Sequence, residues 1–329
     1  MKAAPLLFVV LVLGTALVSA QAPVLSPPDS ARRGEPGFAM LSPLSAGSKA
    51  SDYTLRVRYA DGSASPAYQG FFAPGSSGGR EVPSVGPSAV ILRAETLVFL
   101  FSAPVDAALG PAIMVVHGPG GVPVGEAGFS VADRVFSRED LYLDSALTGI
   151  RIDPDPRKTE QALRYQAVLA SADPTAVFLD AGFVKPVETE RRTSVFGLRR
   201  RYVYFSGEVD VTTHNGIDYG CPTGSPVIAA GAGRVVMAED RIVTGNTIIL
   251  EHLPGAFTIY MHLDTMAVPV GAVVARGAFI GTVGKTGLAT GPHLHWEFRI
   301  RGIACDPEAL VGLDKIPGIR RMIPAIEGG

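Results

Sequence analysis

The chain has 329 residues, 47% of them hydrophobic and 18% charged, which favours about two globular domains and excludes a disordered, charged tail protein. The 29 Lys and Arg residues nearly balance the 31 Asp and Glu residues, so no overall field attracts nucleic acid. The two cysteines, Cys221 and Cys305, are too few for a disulfide framework or a four-cysteine zinc site.

The N-terminus has the pattern of a secretory signal peptide over residues 1–20. Lys2 precedes an apolar run from Leu6 to Val18, and small residues surround a cleavage point after Ala20. The run is shorter than the ~20 residues that span a bilayer as a helix. We therefore expect export to the periplasm, cell envelope or extracellular space without a stable membrane anchor. An uncleaved anchor is the alternative.

The first half of the chain is predicted to contain a linker, a β domain and a connection. Residues 21–37 are rich in Pro and polar residues and lack an apolar period, which predicts an extended linker. Alternating runs such as Tyr53–Tyr59, separated by Gly and Pro, predict a β-sandwich-like domain over residues 38–133. Helix formers at residues 157–172 predict a short helix within a connecting segment, residues 134–182.

A second β-rich domain is predicted over residues 183–310, followed by a C-terminal tail at 311–329. β-branched runs punctuated by Gly indicate its strands, so the chain as a whole is predicted to be mostly β. Five of the six histidines fall between His214 and His295. This clustering favours a metal site over scattered surface and core histidines.

The first histidine motif is His214-Asn215-Gly216-Ile217-Asp218, which puts an imidazole and a carboxylate on one face of a strand. Gly216 lies between them on the same face. We expect its missing side chain to leave room there for an ion and a substrate backbone.

The second motif is a strictly alternating strand. Its residues His293, His295, Glu297 and Arg299 face one way, while the three apolar residues between them face the core. Two histidines at i and i+2 lie about 6–7 Å apart, so one can bind a metal while the other contacts water or a substrate oxygen. Spacing does not decide which one binds. Either one, with His214 and Asp218, makes the two-His-one-carboxylate set typical of catalytic zinc.

Four segments together closely resemble peptidase family M23, the lysostaphin/LytM type of zinc metallopeptidase. In chain order they are His214-x-x-x-Asp218, Tyr260-Met261-His262-Leu263, Gly284-Lys285-Thr286-Gly287 and His293-x-His295. Phe196–Arg200 is also similar to the family's F-G-x-R-x segment, and the resemblance covers about residues 183–310. It implies an antiparallel β domain of the LytM/lysostaphin type with a groove.

The resemblance also implies roles for five residues. It gives His214, Asp218 and His295 as ligands of one Zn²⁺ per chain, and His262 and His293 as non-ligand histidines that activate water and stabilise the oxyanion. The implied activity is a zinc metalloendopeptidase that hydrolyses peptide bonds in peptidoglycan cross-links or stems through a zinc-activated water. Peptidoglycan peptides are then the partner, and which bond is cleaved stays open.

Two alternatives remain open for the function. The first is a non-catalytic M23-like scaffold that binds the wall or activates an amidase. The second is a catalytic domain held latent by residues 38–133.

Several side chains outside the motifs have undecided roles. Cys221 and Cys305 either form a disulfide or stay free, and a nucleophilic role for Cys221 leaves the histidine set unexplained. The basic residues near Arg200 form a solvated face or meet an anionic polymer or substrate carboxylate. Tyr202 or Tyr204 is a candidate groove residue, and Glu297 and Arg299 are a candidate pair beside the metal.

Overall fold

The computed structural model describes residues 22–44, 47–72, 95–179 and 182–311. The predicted signal peptide and all but the first residue of the predicted C-terminal tail lie outside these described residues. Within them, no helix combines the length and the apolar character that a membrane crossing requires.

The N-terminal region is a sheet of eight strands in the order β1-β3-β6-β5-β4-β7-β8-β2. Alternation buries Leu55 and Val57 of the fourth strand. The rings of Phe101 and Phe129 pack edge-on across the core, with their centroids 5.8 Å apart. The two halves of the sheet therefore face each other as in a sandwich. The strands β1 to β8 are Val24–Ser26, Ser30–Arg32, Pro36–Leu44, Thr54–Arg58, Tyr68–Phe72, Glu95–Ser102, Gly110–His117 and Pro123–Ala132.

The predicted linker at residues 21–37 is wrong in one respect, because β1, β2 and the start of β3 lie within it. Leu25 and Ala31 are buried in the core, and β2 pairs in parallel with β8. A three-residue strand has one inward side chain, so it leaves no apolar period in the sequence.

The connecting segment contains a strand and two helices: β9 (Arg138–Tyr142), α1 (Ser145–Ile152) and α2 (Pro156–Ala170). The side chains of Asp144 and Asp155 cap the two helices. α2 lies where the sequence predicts a helix, whereas α1 and β9 are additional. β9 pairs in parallel with β11 (Arg199–Val203), which pairs with β12 (Val209–Thr213).

The C-terminal sheet has ten strands around a central β20, which lies between β13 and β17. Leu294, Trp296 and Phe298 of β20 are fully buried, as their alternation predicts. The strands are β10 (Arg192–Ser194), β13 (Gly216–Tyr219), β14 (Pro226–Ile228), β15 (Gly233–Arg241), β16 (Gly245–Leu253), β17 (Ala256–Met266), β18 (Val273–Val274), β19 (Phe279–Val283), β20 (Leu294–Ile300) and β21 (Ile303–Cys305). Three 3-10 turns occupy Ala50–Asp52, Pro119–Gly121 and Pro307–Leu310.

The two β regions are in direct contact beyond β21. The backbone N–H of Asp306 donates to the carbonyl of Gly34 at 2.7 Å, and the carboxylate of Asp306 accepts from Arg134 at 2.6 Å. The predicted fold class, a sandwich-like region followed by an antiparallel β domain, is confirmed.

Candidate metal centre

Strand register brings the two histidine motifs together. Asp218 of β13 is directly opposite His295 of β20 in an antiparallel pair, so both side chains project from the same face of the sheet. His214 lies two residues before β13 and reaches the same point. Three side chains that are up to 81 positions apart in the chain thus converge.

Three potential ligand atoms of this cluster lie within hydrogen-bond distance of one another. Asp218 Oδ1 is 3.1 Å from His214 Nε2 and 2.7 Å from His295 Nδ1, and the two nitrogens are 3.0 Å apart. All three residues are buried. Ligand atoms of a tetrahedral zinc ion lie roughly 3.3 Å apart, so small shifts adapt this triangle to an ion.

The outer nitrogen of each imidazole is held by an acceptor. His214 Nδ1 donates to the carbonyl of Val195 at 2.9 Å, because a carbonyl can only accept. His295 Nε2 donates to the Glu297 carboxylate at 2.9 Å. Nε2 of His214 and Nδ1 of His295 therefore face inward, toward the Asp218 carboxylate. This electron-rich donor set fits a divalent cation and has the outer hydrogen bonds typical of metal-ligating histidines.

His262 and His293 stand beside the triangle with a similar arrangement. His262 Nδ1 donates to the carbonyl of Thr286, and His293 Nδ1 donates to that of Gly291, each at 2.8 Å. The centroids of the two rings are 4.8 Å apart, and His293 Nε2 is 3.8 Å from Asp218 Oδ1. Nε2 is therefore the nitrogen that each imidazole has free for water or substrate.

The Gly284–Gly287 turn supports His262 from behind. Its residue Thr286 accepts from the imidazole with its carbonyl, and its hydroxyl accepts from the backbone N–H of Asn246 at 3.0 Å. His262 itself has a left-handed backbone with φ of 61°, an uncommon conformation for a non-glycine residue. The turn and the β17 backbone together fix the direction of this imidazole.

Burial and mutual contacts divide the protonation states within the cluster. Burial, together with the neighbouring His293 and His295, lowers the pKa of His262 to about 3, so this imidazole is neutral. Burial also lowers the pKa of His214. Burial opposes the charges of Asp218 and His295, but their hydrogen bond outweighs it. The pKa of Asp218 is held well below its usual range, and Asp218 with Glu297 raises that of His295 to about 9.

Arg200 is a neighbour of the metal centre rather than part of a solvated basic face. Its guanidinium donates to Asp218 Oδ2 at 3.1 Å and to Ser194 Oγ at 2.7 Å. Glu139 of β9 lies 3.6 Å from the same guanidinium. Because the first oxygen of Asp218 faces the histidines, Arg200 orients the carboxylate from the other side.

The expected role of Gly216 is corrected by its surroundings. A Cβ at this position would lie 2.3 Å from the carbonyl oxygen of Trp296 and 2.9 Å from Glu297 Cγ. The glycine thus permits close packing of β13 on β20, and the space it leaves is not space for an ion or substrate.

The cluster lies in a groove that encloses a cavity of about 400 Å³. Glu139, Leu141 and Leu143 from the β9 segment and Arg151 from α1 line one side of the groove. Tyr202 is the tyrosine that lines it, with the Arg151 guanidinium 3.9 Å above its ring. The connecting segment therefore forms a wall of the groove, which no motif in the sequence indicates.

His252, the fifth of the clustered histidines, and the two cysteines lie outside the cluster. His252 is fully buried, with Nδ1 donating to the carbonyl of Ala232 and Nε2 2.7 Å from Thr258 Oγ1, so it has a structural role. Cys221 and Cys305 are buried and free, and no disulfide joins them. Glu297 and Arg299 form the predicted pair, with the Arg299 Nε donating at 2.7 Å.

Residues 212–307 match the family model of Peptidase family M23. They form an M23 peptidase domain. The resemblance indicated by the four motifs is thereby confirmed. The match ends close to β21, and it includes the metal triangle, His262 and His293 but excludes Arg200 and the connecting segment.

Relatives and a solved structure agree with the M23 domain. The chain is 44% identical over 92 residues to the Vibrio cholerae peptidoglycan DD-endopeptidase ShyA, covering 28% of this chain and 21% of the relative. It is 36% identical over 124 residues to the Neisseria meningitidis DD-carboxypeptidase/endopeptidase Mpg, covering 38% and 28%. The chain thus spans less than a third of these relatives.

The fold extends beyond the M23 domain. A crystal structure of a candidate M23 peptidase from Pseudomonas aeruginosa is 23% identical and superposes with a TM-score of 0.52. The superposition covers 84% of this chain and 93% of that one. The N-terminal region and the connecting segment therefore belong to a fold found in another protein.

Proposed function

We propose that this chain is a zinc metalloendopeptidase that hydrolyses peptide bonds in peptidoglycan cross-links or stems outside the cytoplasmic membrane. The observation that carries the proposal is the buried convergence of His214 Nε2, His295 Nδ1 and the Asp218 carboxylate, with two further histidines beside it. The names of the relatives support this substrate class, because ShyA is a peptidoglycan DD-endopeptidase and Mpg is a DD-carboxypeptidase/endopeptidase.

His214, Asp218 and His295 would hold the zinc ion. Zinc with three protein ligands supplies Lewis acidity toward the scissile carbonyl and lowers the pKa of water to about 7. Arg200 holds the second oxygen of Asp218, and Glu297 holds the outer nitrogen of His295. These two residues position the ligands.

His262 is the proposed general base. Its imidazole is neutral, and its Nδ1–H is committed to the Thr286 carbonyl, so Nε2 accepts the proton of the attacking water. His293 is the proposed oxyanion donor. Its Nε2 is the nitrogen directed toward the cluster, while its Nδ1 donates to the Gly291 carbonyl.

Cleavage assays with point variants test this proposal. The zinc-loaded chain acts on isolated peptidoglycan, and mass spectrometry of the muropeptides identifies any bond that is cut. His262→Ala should retain one zinc per chain but lose roughly 100-fold or more of the rate, because it removes the general base. His117→Ala, on β7 of the other sheet, is the matched histidine control and should cleave normally.

The scaffold alternative predicts a different outcome for the same assay. A scaffold would bind zinc and peptidoglycan without cleavage, and His262→Ala would then change nothing. Zinc bound at one equivalent with intact cross-links and stems would contradict the proposed endopeptidase.

A further inference from the structure

A second cavity, of about 590 Å³, lies beneath α2 and adjoins the groove. It is large enough for a small ligand or part of a peptide. The two cavities share five lining residues, namely Asn215, Val243, Thr244, Met261 and Glu297. We call this second space the α2 cavity. The α2 cavity and the groove therefore adjoin each other along these five side chains.

The lining of the α2 cavity is strongly cationic. Four basic side chains, Lys158, Arg241, Arg299 and Arg301, face one carboxylate, Glu297. That carboxylate is already shared, because it accepts from His295, from Arg299 Nε at 2.7 Å and from the Tyr165 hydroxyl at 3.2 Å. Glu297 therefore pairs directly with Arg299, whereas in the described residues none of the other three cations forms an ion pair with a carboxylate.

Within the described part of the chain, those three cations hydrogen-bond to neutral oxygens alone. Lys158 Nζ donates to the carbonyl of Asp153 at 2.6 Å. Arg241 donates to the Thr244 hydroxyl at 2.9 Å and to a carbonyl of α2 at 3.1 Å. Arg301 donates to the carbonyl of Ala170 at the end of α2.

Two of these guanidinium groups also have buried nitrogens without a hydrogen-bond acceptor in the described residues. They are the Nε atoms of Arg241 and Arg301, and only 8% of Arg241 is exposed. Burial lowers the pKa of both arginines. A charge that is desolvated without a counter-charge is unfavourable, and a bound anion would offset that cost.

We propose that the α2 cavity is an anion subsite that binds a free carboxylate of the peptide substrate while the scissile bond lies in the groove. A carboxylate matches the planar fork of an arginine with two parallel hydrogen bonds. The apolar side chains of Leu169 and Met261 line the same cavity and suit the peptide carbon atoms beside it. This inference rests on the proposed peptidase function and specifies its substrate, a peptide with a free carboxylate on the α2 side of the bond.

Two matched substrates test the subsite. One is a cross-linked stem-peptide dimer with free carboxylates, and the other is the same dimer with its carboxylates amidated. With the full zinc-loaded chain, amidation should lower kcat/KM by roughly tenfold or more, mainly through a higher KM, because charged hydrogen bonds are lost. Calorimetry with the two corresponding product peptides should show the same preference in Kd, independently of cleavage.

Variants then locate the preference in the α2 cavity. Arg301→Gln and Lys158→Gln should each lower kcat/KM for the free-acid dimer and leave kcat/KM for the amidated dimer unchanged. The ratio of the two kcat/KM values should therefore fall. Arg301→Lys keeps the charge and should restore part of the ratio. Arg164→Gln is the control, since Arg164 is an exposed cation of α2 that pairs with Glu239.

Failure of the subsite and failure of the peptidase are distinguishable. Equal kcat/KM for the two dimers would overturn the subsite and leave the peptidase standing. Equal losses on both dimers in Arg301→Gln would show that the arginine only supports α2. If neither dimer is cleaved, the proposed function fails, and equal Kd values for the two product peptides would overturn the subsite as well.

Discussion

Each imidazole of the metal centre is oriented by one hydrogen bond on the side away from the cluster. For His214 the acceptor is a backbone carbonyl, whereas for His295 it is the Glu297 carboxylate. A carboxylate partner raises the basicity of the ligand as well as fixing its direction. The two ligands should therefore respond differently to substitution of their partners.

Glu297→Gln should weaken zinc binding. The neutral amide retains the shape of the carboxylate but removes the charge that faces His295 Nε2. Loss of such a hydrogen-bond partner of a metal ligand reduces metal affinity by about 10- to 100-fold. Competition with a chromogenic chelator measures the zinc Kd. Glu239→Gln, on β15 and outside the cluster, is the control. An unchanged Kd in Glu297→Gln would contradict the orienting role.

Zinc affinity should rise with pH. In the metal-free chain the pKa of His295 is raised to about 9, so a proton occupies this site at neutral pH and must leave when the metal binds. The pKa of His214 is lowered, so His214 does not compete in the same way. The zinc Kd should therefore fall about tenfold per pH unit between pH 6 and 8. A Kd independent of pH would contradict this linkage.

At the scale of elements, the close packing of β13 on β20 sets the geometry of the centre. The direct pairing of Asp218 with His295 depends on this register, and a slip by one residue would move either side chain to the opposite face. Gly216 occupies the closest approach, where its lack of a side chain admits the Trp296 carbonyl.

Gly216→Ala should destabilise the fold. The added Cβ would overlap the Trp296 carbonyl oxygen. Overpacking of this kind lowers the free energy of unfolding by about 1–3 kcal/mol. Denaturant titration followed by circular dichroism measures the change. Gly128→Ala on β8 is the matched control, because nothing lies within 4 Å of its added Cβ. Equal stability of the two variants would show that β13 shifts freely.

At the scale of the whole molecule, the groove is built from more than the M23 domain. Its lining includes residues from β9 and α1, and none of the lining residues belongs to the N-terminal sheet in the described parts of the chain. Leu143 is buried with Tyr202 and Tyr204, which fastens the connecting segment to the groove. Among the described residues, the N-terminal sheet therefore makes no contact in the groove that would support the hypothesis that residues 38–133 hold the catalytic domain latent.

The position at which the chain is truncated should therefore matter. A chain of residues 134–329 keeps β9 paired with β11, whereas residues 183–329 lose this strand, α1 and α2. We expect the shorter chain to have a lower Tm, because it exposes Tyr202 and Tyr204. Calorimetric melting of the two chains under the same conditions checks this. Equal Tm values would mean that the connecting segment contributes no stability.

The fold class, the two histidine motifs and the alternation of β20 could be predicted from the sequence, since each of these appears as a periodic pattern or a fixed spacing. It could not show β1 and β2, whose three residues are too few for a period. Nor could it show the acceptors for His214, His262 and His293, because these are backbone carbonyls and any residue type supplies one.

Long-range contacts determine which residues surround the centre. Glu139, Arg200 and the cations of the α2 cavity come from segments far apart in the chain, and their proximity depends on long-range strand pairing and on the packing of α2. Burial is likewise a tertiary property. Arg200, which the sequence leaves as a candidate for a solvated face, is a largely buried partner of Asp218 in the fold.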